Sequence, residues 1–286
     1  MKRISSIISM LSILLGQHPG DDIVQKGVNA FYNYDFEKSI HILGQARKDY
    51  SENPVVHVTW AAARWRRNEA HLPLNQIYVS LDVDLDEIEA GYVGLLEKYP
   101  DHPEYLLYMG TARGLKARIL LGQKKWIPTL ITAYQGFRVI QQALEKDPEL
   151  MDAYLPLGIV EYYAGLSNIL VKAGAELFGL EASRETGIRK IEIAATQSPW
   201  AWTEAMSILS FIYLFADIDD QRGLEVSRTI AEKYPNNYDY QIHYVESLLR
   251  VGEMKMAKKV LNKLNALMLE LTAMQQRWFT SYLNYA

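Results

Sequence analysis

Apolar residues recur along this chain at intervals of three and four, the spacing that lines up one face of an α-helix. The pattern is interrupted at intervals by proline-bearing turns: Asn53-Pro54, Tyr99-Pro100-Asp101-His102-Pro103, Asp147-Pro148, Ser198-Pro199 and Tyr234-Pro235-Asn236-Asn237. Each is a helix stop followed by a helix start, because proline is excluded from helix interiors and tolerated in the first turn. No alternating run of useful length argues for a strand. The spacing predicts helices in pairs: 22–33 with 36–50, 55–69 with 85–99, 104–121 with 124–146, 150–164 with 183–196, 200–215 with 220–233, and 238–251 with 253–271. A closing helix or unpaired half unit is expected over 272–285.

Glycine adds a second period. Gly91, Gly136, Gly187 and Gly223 are each followed twelve residues later by a proline, at Pro103, Pro148, Pro199 and Pro235. An amphipathic helix cannot bury its apolar stripe alone, so copies of one helical unit are expected to stack into a continuous core. On this reading Gly136, Gly187 and Gly223 mark close helix contacts, where a larger side chain would overpack.

These residues resemble the tetratricopeptide repeat, a helix-turn-helix unit of about thirty-four residues. The first unit has Gly27, Ser39, Leu43 and Ala46 around the turn Tyr34-Asp35-Phe36-Glu37. The third has Gly110, then Gly136, Ile140, Ala143 and Pro148; the fourth has Tyr154, Leu157 and Gly158, then Gly187, Ile191, Ala194 and Pro199. Gly252, Ala257 and Leu261 belong to the sixth. The resemblance covers roughly 22–271 and implies an all-α fold, a right-handed α-solenoid of about six helical hairpins, with a repeat domain over 22–286. Long spacings between the second, third and fourth units place the chain in a divergent group. The stretch Leu157 to Tyr163 through Gly187 to Ile191 is also similar, more weakly, to the T-component of tripartite (TRAP) transporters and to a eukaryotic group linked to the mitochondrial outer membrane. The T-component group is commonly anchored through a lipidated cysteine, and this chain has none.

Composition narrows the function. With 49% hydrophobic residues the chain is far too apolar for disorder, and a net charge of −4 offers no overall basic field for nucleic acid. The absence of cysteine excludes disulfides, thiolate metal sites and a cysteine nucleophile. Lys2-Arg3, the uncharged apolar run to Leu15 and the break from Gly16 to Gly20 have the layout of a signal peptide over 1–16. Export to the periplasm or cell envelope is the expectation; a first helix of a cytoplasmic protein is the alternative.

Candidate chemistry is thin. Asp82-Val83-Asp84-Leu85-Asp86-Glu87 suggests a calcium loop, but the positions that need glycine and glutamate hold Glu87 and Val93. The run is read instead as an acidic first turn favoured by the helix dipole. The six histidines form no HExxH motif, and neither Gly-x-Ser-x-Gly nor a glycine-rich phosphate loop occurs. No enzyme activity, cofactor or metal is expected. Trp60-Ala61-Ala62-Ala63-Arg64-Trp65-Arg66-Arg67 mixes rings and cations, and reads as an amphipathic helix with Trp60 inside and the arginines in solvent or paired with the 82–89 acids. The apolar insert 166–182 is expected to be a buried helix or lid, with membrane contact through 166–180 or self-association as alternatives.

The expected site is the concave groove. Counting first-helix positions from the small eighth residue assigns Val58, Ala62 and Trp65; Leu107, Thr111 and Gly114; Leu155, Ile159 and Tyr162; and Ile242, Glu246 and Leu249. Trp65, Thr111, Leu155, Ile159, Tyr162, Ile242 and Glu246 are the residues expected to meet a partner. The expected function is a non-catalytic scaffold for a protein or peptide segment or an apolar small ligand. The alternative is an accessory part of a solute transporter or envelope assembly that encloses a small amphipathic molecule.

Overall fold

A computed structural model describes residues 18–69, 71–166, 179 and 181–268. Among them are twelve α-helices and no strand: α1 (Asp21–Tyr32), α2 (Phe36–Asp49), α3 (Val56–Glu69), α4 (Leu74–Lys98), α5 (Pro103–Gly122), α6 (Trp126–Lys146), α7 (Tyr154–Leu166), α8 (Arg184–Gln197), α9 (Trp202–Phe215), α10 (Asp220–Lys233), α11 (Tyr238–Arg250) and α12 (Met254–Met268). The signal-peptide segment 1–16, nearly all of the 166–182 insert and the 272–285 stretch lie outside the described residues.

The helix ends follow the chemistry of the turns. Pro103 opens α5, where its missing N–H costs nothing. Ser183, Asp219 and Asn237 each accept a hydrogen bond from the backbone N–H three residues on, at 3.2, 3.1 and 3.2 Å, and so cap α8, α10 and α11. Tyr34, Lys124 and Gly252 take the left-handed conformation, with φ of 64°, 60° and 82°, at equivalent turns inside the first, third and sixth pairs. One turn geometry thus recurs on three unrelated sequences.

Consecutive helices pack on one another along the whole chain. A large apolar cluster runs from Val24 on α1 to Leu157 on α7; a second joins α7, α8 and α9 around Ile191; a third joins α10, α11 and α12 around Ile230 and Leu248. Asp152, in the turn before α7, links two hairpins: its carboxylate accepts from Ser198 Oγ and from the backbone N–H groups of Trp200 and Ala201, the latter two at 3.1 and 2.7 Å.

Two expectations are corrected. The fourth helix starts at Leu74 rather than near residue 85, because Pro73 has extended backbone and ends the turn from Asn68. The 82–89 acids therefore lie in mid-helix, where the dipole does nothing for them, and they are held by cations: Arg64 on Asp84 at 2.9 Å, Arg47 on Glu87 at 2.9 Å, Arg113 on Glu89 at 2.7 Å, and Lys116 on Asp86. The glycines also differ from expectation. A Cβ at Gly136 would lie 2.8 Å from the Gly110 carbonyl oxygen, and one at Gly187 would lie 2.5 Å from the Tyr162 nitrogen. At Gly223 the nearest atom is Leu214 Cδ2 at 3.3 Å, and at Gly91 nothing lies within 4 Å. Gly223 faces a movable side chain and Gly91 faces open space.

Candidate functional site

The helices distribute the expected groove residues over different surroundings. Leu155, Tyr162 and Ile242 are buried, at 7, 2 and 8% exposure, and belong to helix–helix cores. Tyr162 packs with Leu155 and Ile191 in the α7–α8–α9 cluster, and its hydroxyl donates to Asp217 at 2.7 Å. These three side chains hold helices together and offer no open groove surface. Ile159 is half-buried against the same cluster, and Thr111 turns its hydroxyl back to the Leu107 carbonyl at 2.9 Å. Glu246 accepts from Arg250 at 2.9 Å within α11. Trp65 borders a cleft between α3, α4 and α5, with the Arg118 guanidinium 4.6 Å from its ring centre. That cleft is about 100 Å³, room for a few waters and well below the roughly 300 Å³ at which ligand pockets begin.

The more consequential arrangement brings together residues 205 apart. The α1–α2 turn meets the α10–α11 turn: Asn236 N–H donates to Asn33 Oδ1 at 3.1 Å, Asn237 Nδ2 to the Tyr32 carbonyl at 2.8 Å, and Tyr234 OH to Asn29 Oδ1 at 3.3 Å. The Tyr34 ring meets Tyr238 edge-on at 4.8 Å, and Tyr32 lies 5.5 Å from Tyr234. Tyr34 OH donates to Asp239, while Arg66 Nη2 reaches both Tyr34 OH at 2.7 Å and Asp239 at 3.1 Å, and its Nη1 holds Glu69 at 2.6 Å. The first hairpin and α3 are thus tied to the start of α11.

One charged group near this junction has no local mark in the sequence. Glu204, on α9, is exposed to solvent, and desolvation by neighbouring protein still raises its carboxyl above the ordinary range. Arg66 and Arg118 pull the other way, and Tyr32 and Tyr240 lie within the reach of its field. An acid in the first turn of Trp202-Thr203-Glu204 reads as ordinary helix-start chemistry, so nothing local marked it.

A second cleft, open to solvent and of about 290 Å³, lies between α6, α7 and α8 and is bordered by Phe137, Gln141, Leu144, Glu145, Leu157, Glu161 and Lys190. Glu161 is 4% exposed and accepts from Lys190 at 2.5 Å. Burial raises its carboxyl, opposed by Lys190. The signal for it existed: it is the lone acid in the apolar run Leu155 to Leu166.

Among the described residues, Trp126, Ile127, Leu130 and Ile131 at the start of α6 are 63, 72, 70 and 53% exposed and form an apolar strip. Among the described residues no three His, Asp or Glu side chains converge as a metal site, and no helix is long and apolar enough to cross a membrane. His18 contacts Glu104 at 2.5 Å and His243 Nδ1 contacts Ser210 at 2.7 Å, so both have structural partners. Comparison with known protein families and with curated proteins finds no match for this chain.

Proposed function

We propose that this chain is a non-catalytic scaffold, a right-handed α-solenoid of about six tetratricopeptide-like hairpins, that holds a small amphipathic molecule in the space its first helices enclose. Export to the cell envelope, as its basic and apolar start suggests, is part of the same reading. The observation that supports it is the tie between the first hairpin and α11, beside which Glu204 interacts with the charge of Arg66. In this reading the tie draws the helices around a space for a small solute rather than a folded partner. Arg66, Arg118 and Glu204 supply polar contacts for a head group, and Trp65, Tyr32 and Tyr240 supply ring surface for an apolar body.

A second reading has its own support. The exposed strip from Trp126 to Ile131 is the kind of apolar surface that marks protein contact, and favours a partner polypeptide docked along α6.

Mass spectrometry of organic extracts from the chain purified from its own host separates the two. The first reading expects an amphipathic molecule near one per chain in wild type, lost from Glu204→Gln and Arg66→Met. Empty extracts, with a captured polypeptide released by Leu130→Asp, would replace it with the second.

A further inference from the structure

The cleft between α6, α7 and α8 shares no residue with the Arg66–Glu204 cluster and has a chemical demand of its own. Glu161 is buried, and while one carboxylate oxygen receives Lys190, the other, Oε2, has no hydrogen-bond partner. A buried acceptor left unmade costs far more than a net hydrogen bond returns, so native proteins satisfy nearly all of them. Glu161 borders the cleft, and its terminal carboxylate torsion is soft, so Oε2 is free to turn toward a donor placed there.

The surroundings define what would satisfy it. Glu145 stands at the mouth, and Glu181 adds its negative field to Glu161. Against these three acids stands Lys190, already engaged. The local balance therefore favours a cation that donates hydrogen bonds. Phe137 and Leu157, each 4% exposed, and Leu144 form an apolar wall behind the carboxylate. Gln141, which also borders the cleft, donates to the Gly179 carbonyl at 3.3 Å. A volume of about 290 Å³ sits at the lower end of the range for small-molecule sites.

We propose that the α6–α7–α8 cleft is a binding site for a small organic ammonium ion, with the ammonium on Glu161 and its hydrocarbon body on Phe137, Leu144 and Leu157. The ammonium supplies the donor that Oε2 lacks, and a charge-assisted bond to a carboxylate is stronger than a neutral one. A carboxylate ligand is excluded by the same acids that attract the cation.

The test is calorimetric titration of the full chain with benzylammonium, benzyl alcohol and benzoate, three probes of one shape and different charge. The expected result is binding of benzylammonium at one site, at least tenfold weaker for benzyl alcohol and undetectable for benzoate. Glu161→Gln, which keeps shape and an acceptor for Lys190, should weaken benzylammonium at least tenfold. Gln141→Trp, filling the mouth from a partly exposed position, should do the same without touching the buried pair. Equal affinity for the three probes, no binding to wild type, or full affinity in a folded Glu161→Gln would each overturn the proposal.

Discussion

The α7–α8 and α9–α10 hairpins share a sequence signature and pack differently. Both second helices carry a glycine twelve residues before a proline, Gly187 with Pro199 and Gly223 with Pro235. In α7–α8 the glycine meets another: a Cβ at Gly158 would lie 2.8 Å from the Gly187 carbonyl oxygen, and one at Gly187 would lie 2.7 Å from the Gly158 oxygen. The backbones touch. In α9–α10, Tyr213 and Leu214 hold the second helix off, with Leu214 fully buried between. Gly110 and Gly136 repeat the first arrangement in α5–α6. A glycine therefore implies backbone contact only when the facing helix is also small at the crossing point.

The largest break in this contrast should come from Tyr162, which fills the core beside the Gly158–Gly187 contact. Tyr162→Ala is expected to cost about 3–5 kcal/mol in denaturant unfolding, as large aromatic truncations do; a cost under about 1 kcal/mol would return Tyr162 to the open groove face. Next comes Gly187→Ala, expected to cost about 1–3 kcal/mol because backbone, which cannot step aside, occupies the space of the new methyl. Wild-type stability there would mean that the two helices separate freely.

Acid should also divide the regions. His243, on α11 against Phe215 of α9, is half-buried, and desolvation pushes its imidazole below 6.5. A depressed histidine contributes stability above its unfolded value that is lost as pH falls through the folded one. The carboxyl of Glu161, on α7, is raised by burial, so its ionisation costs the fold, and protonation as the pH falls relieves that cost. Amide exchange between pH 7 and 5 is expected to loosen α9–α11 before α7–α8, and His243→Asn should flatten the α9–α11 response. A uniform response would show that neither group governs its region. The smallest effect is Gly223→Ala, expected to change stability by less than about 1 kcal/mol and to raise it if the methyl is accommodated, since alanine is the better helix former. A loss as large as that of Gly187→Ala would erase the distinction.

The groove register failed for a traceable reason. Counting from a small eighth residue assumes that every first helix turns the same face inward. Tyr162 is instead drawn into the core because the paired glycines let α7 and α8 approach until its ring has nowhere else to go. Pro73 has the chemistry of a helix start, but the acidic run at 82–87 was read as the first turn of that helix. Glu161 was legible as an acid in an apolar run. Its unpartnered oxygen was not, since partners come from other helices.

What this sequence determined alone is local: helical period, the proline and cap residues that end and start helices, and the small residues that permit close packing. Those depend on backbone sterics and hydrogen bonds within a few residues, so they are written in short stretches. Only the tertiary structure decided that Asn33 meets Asn236, that Arg66 reaches Asp239, and that Glu204 comes within the field of Arg66 and Arg118. Each small rotation between neighbouring helices adds to the next, and their sum over some two hundred residues decides which ends meet. No stretch short enough to read as a motif contains that sum.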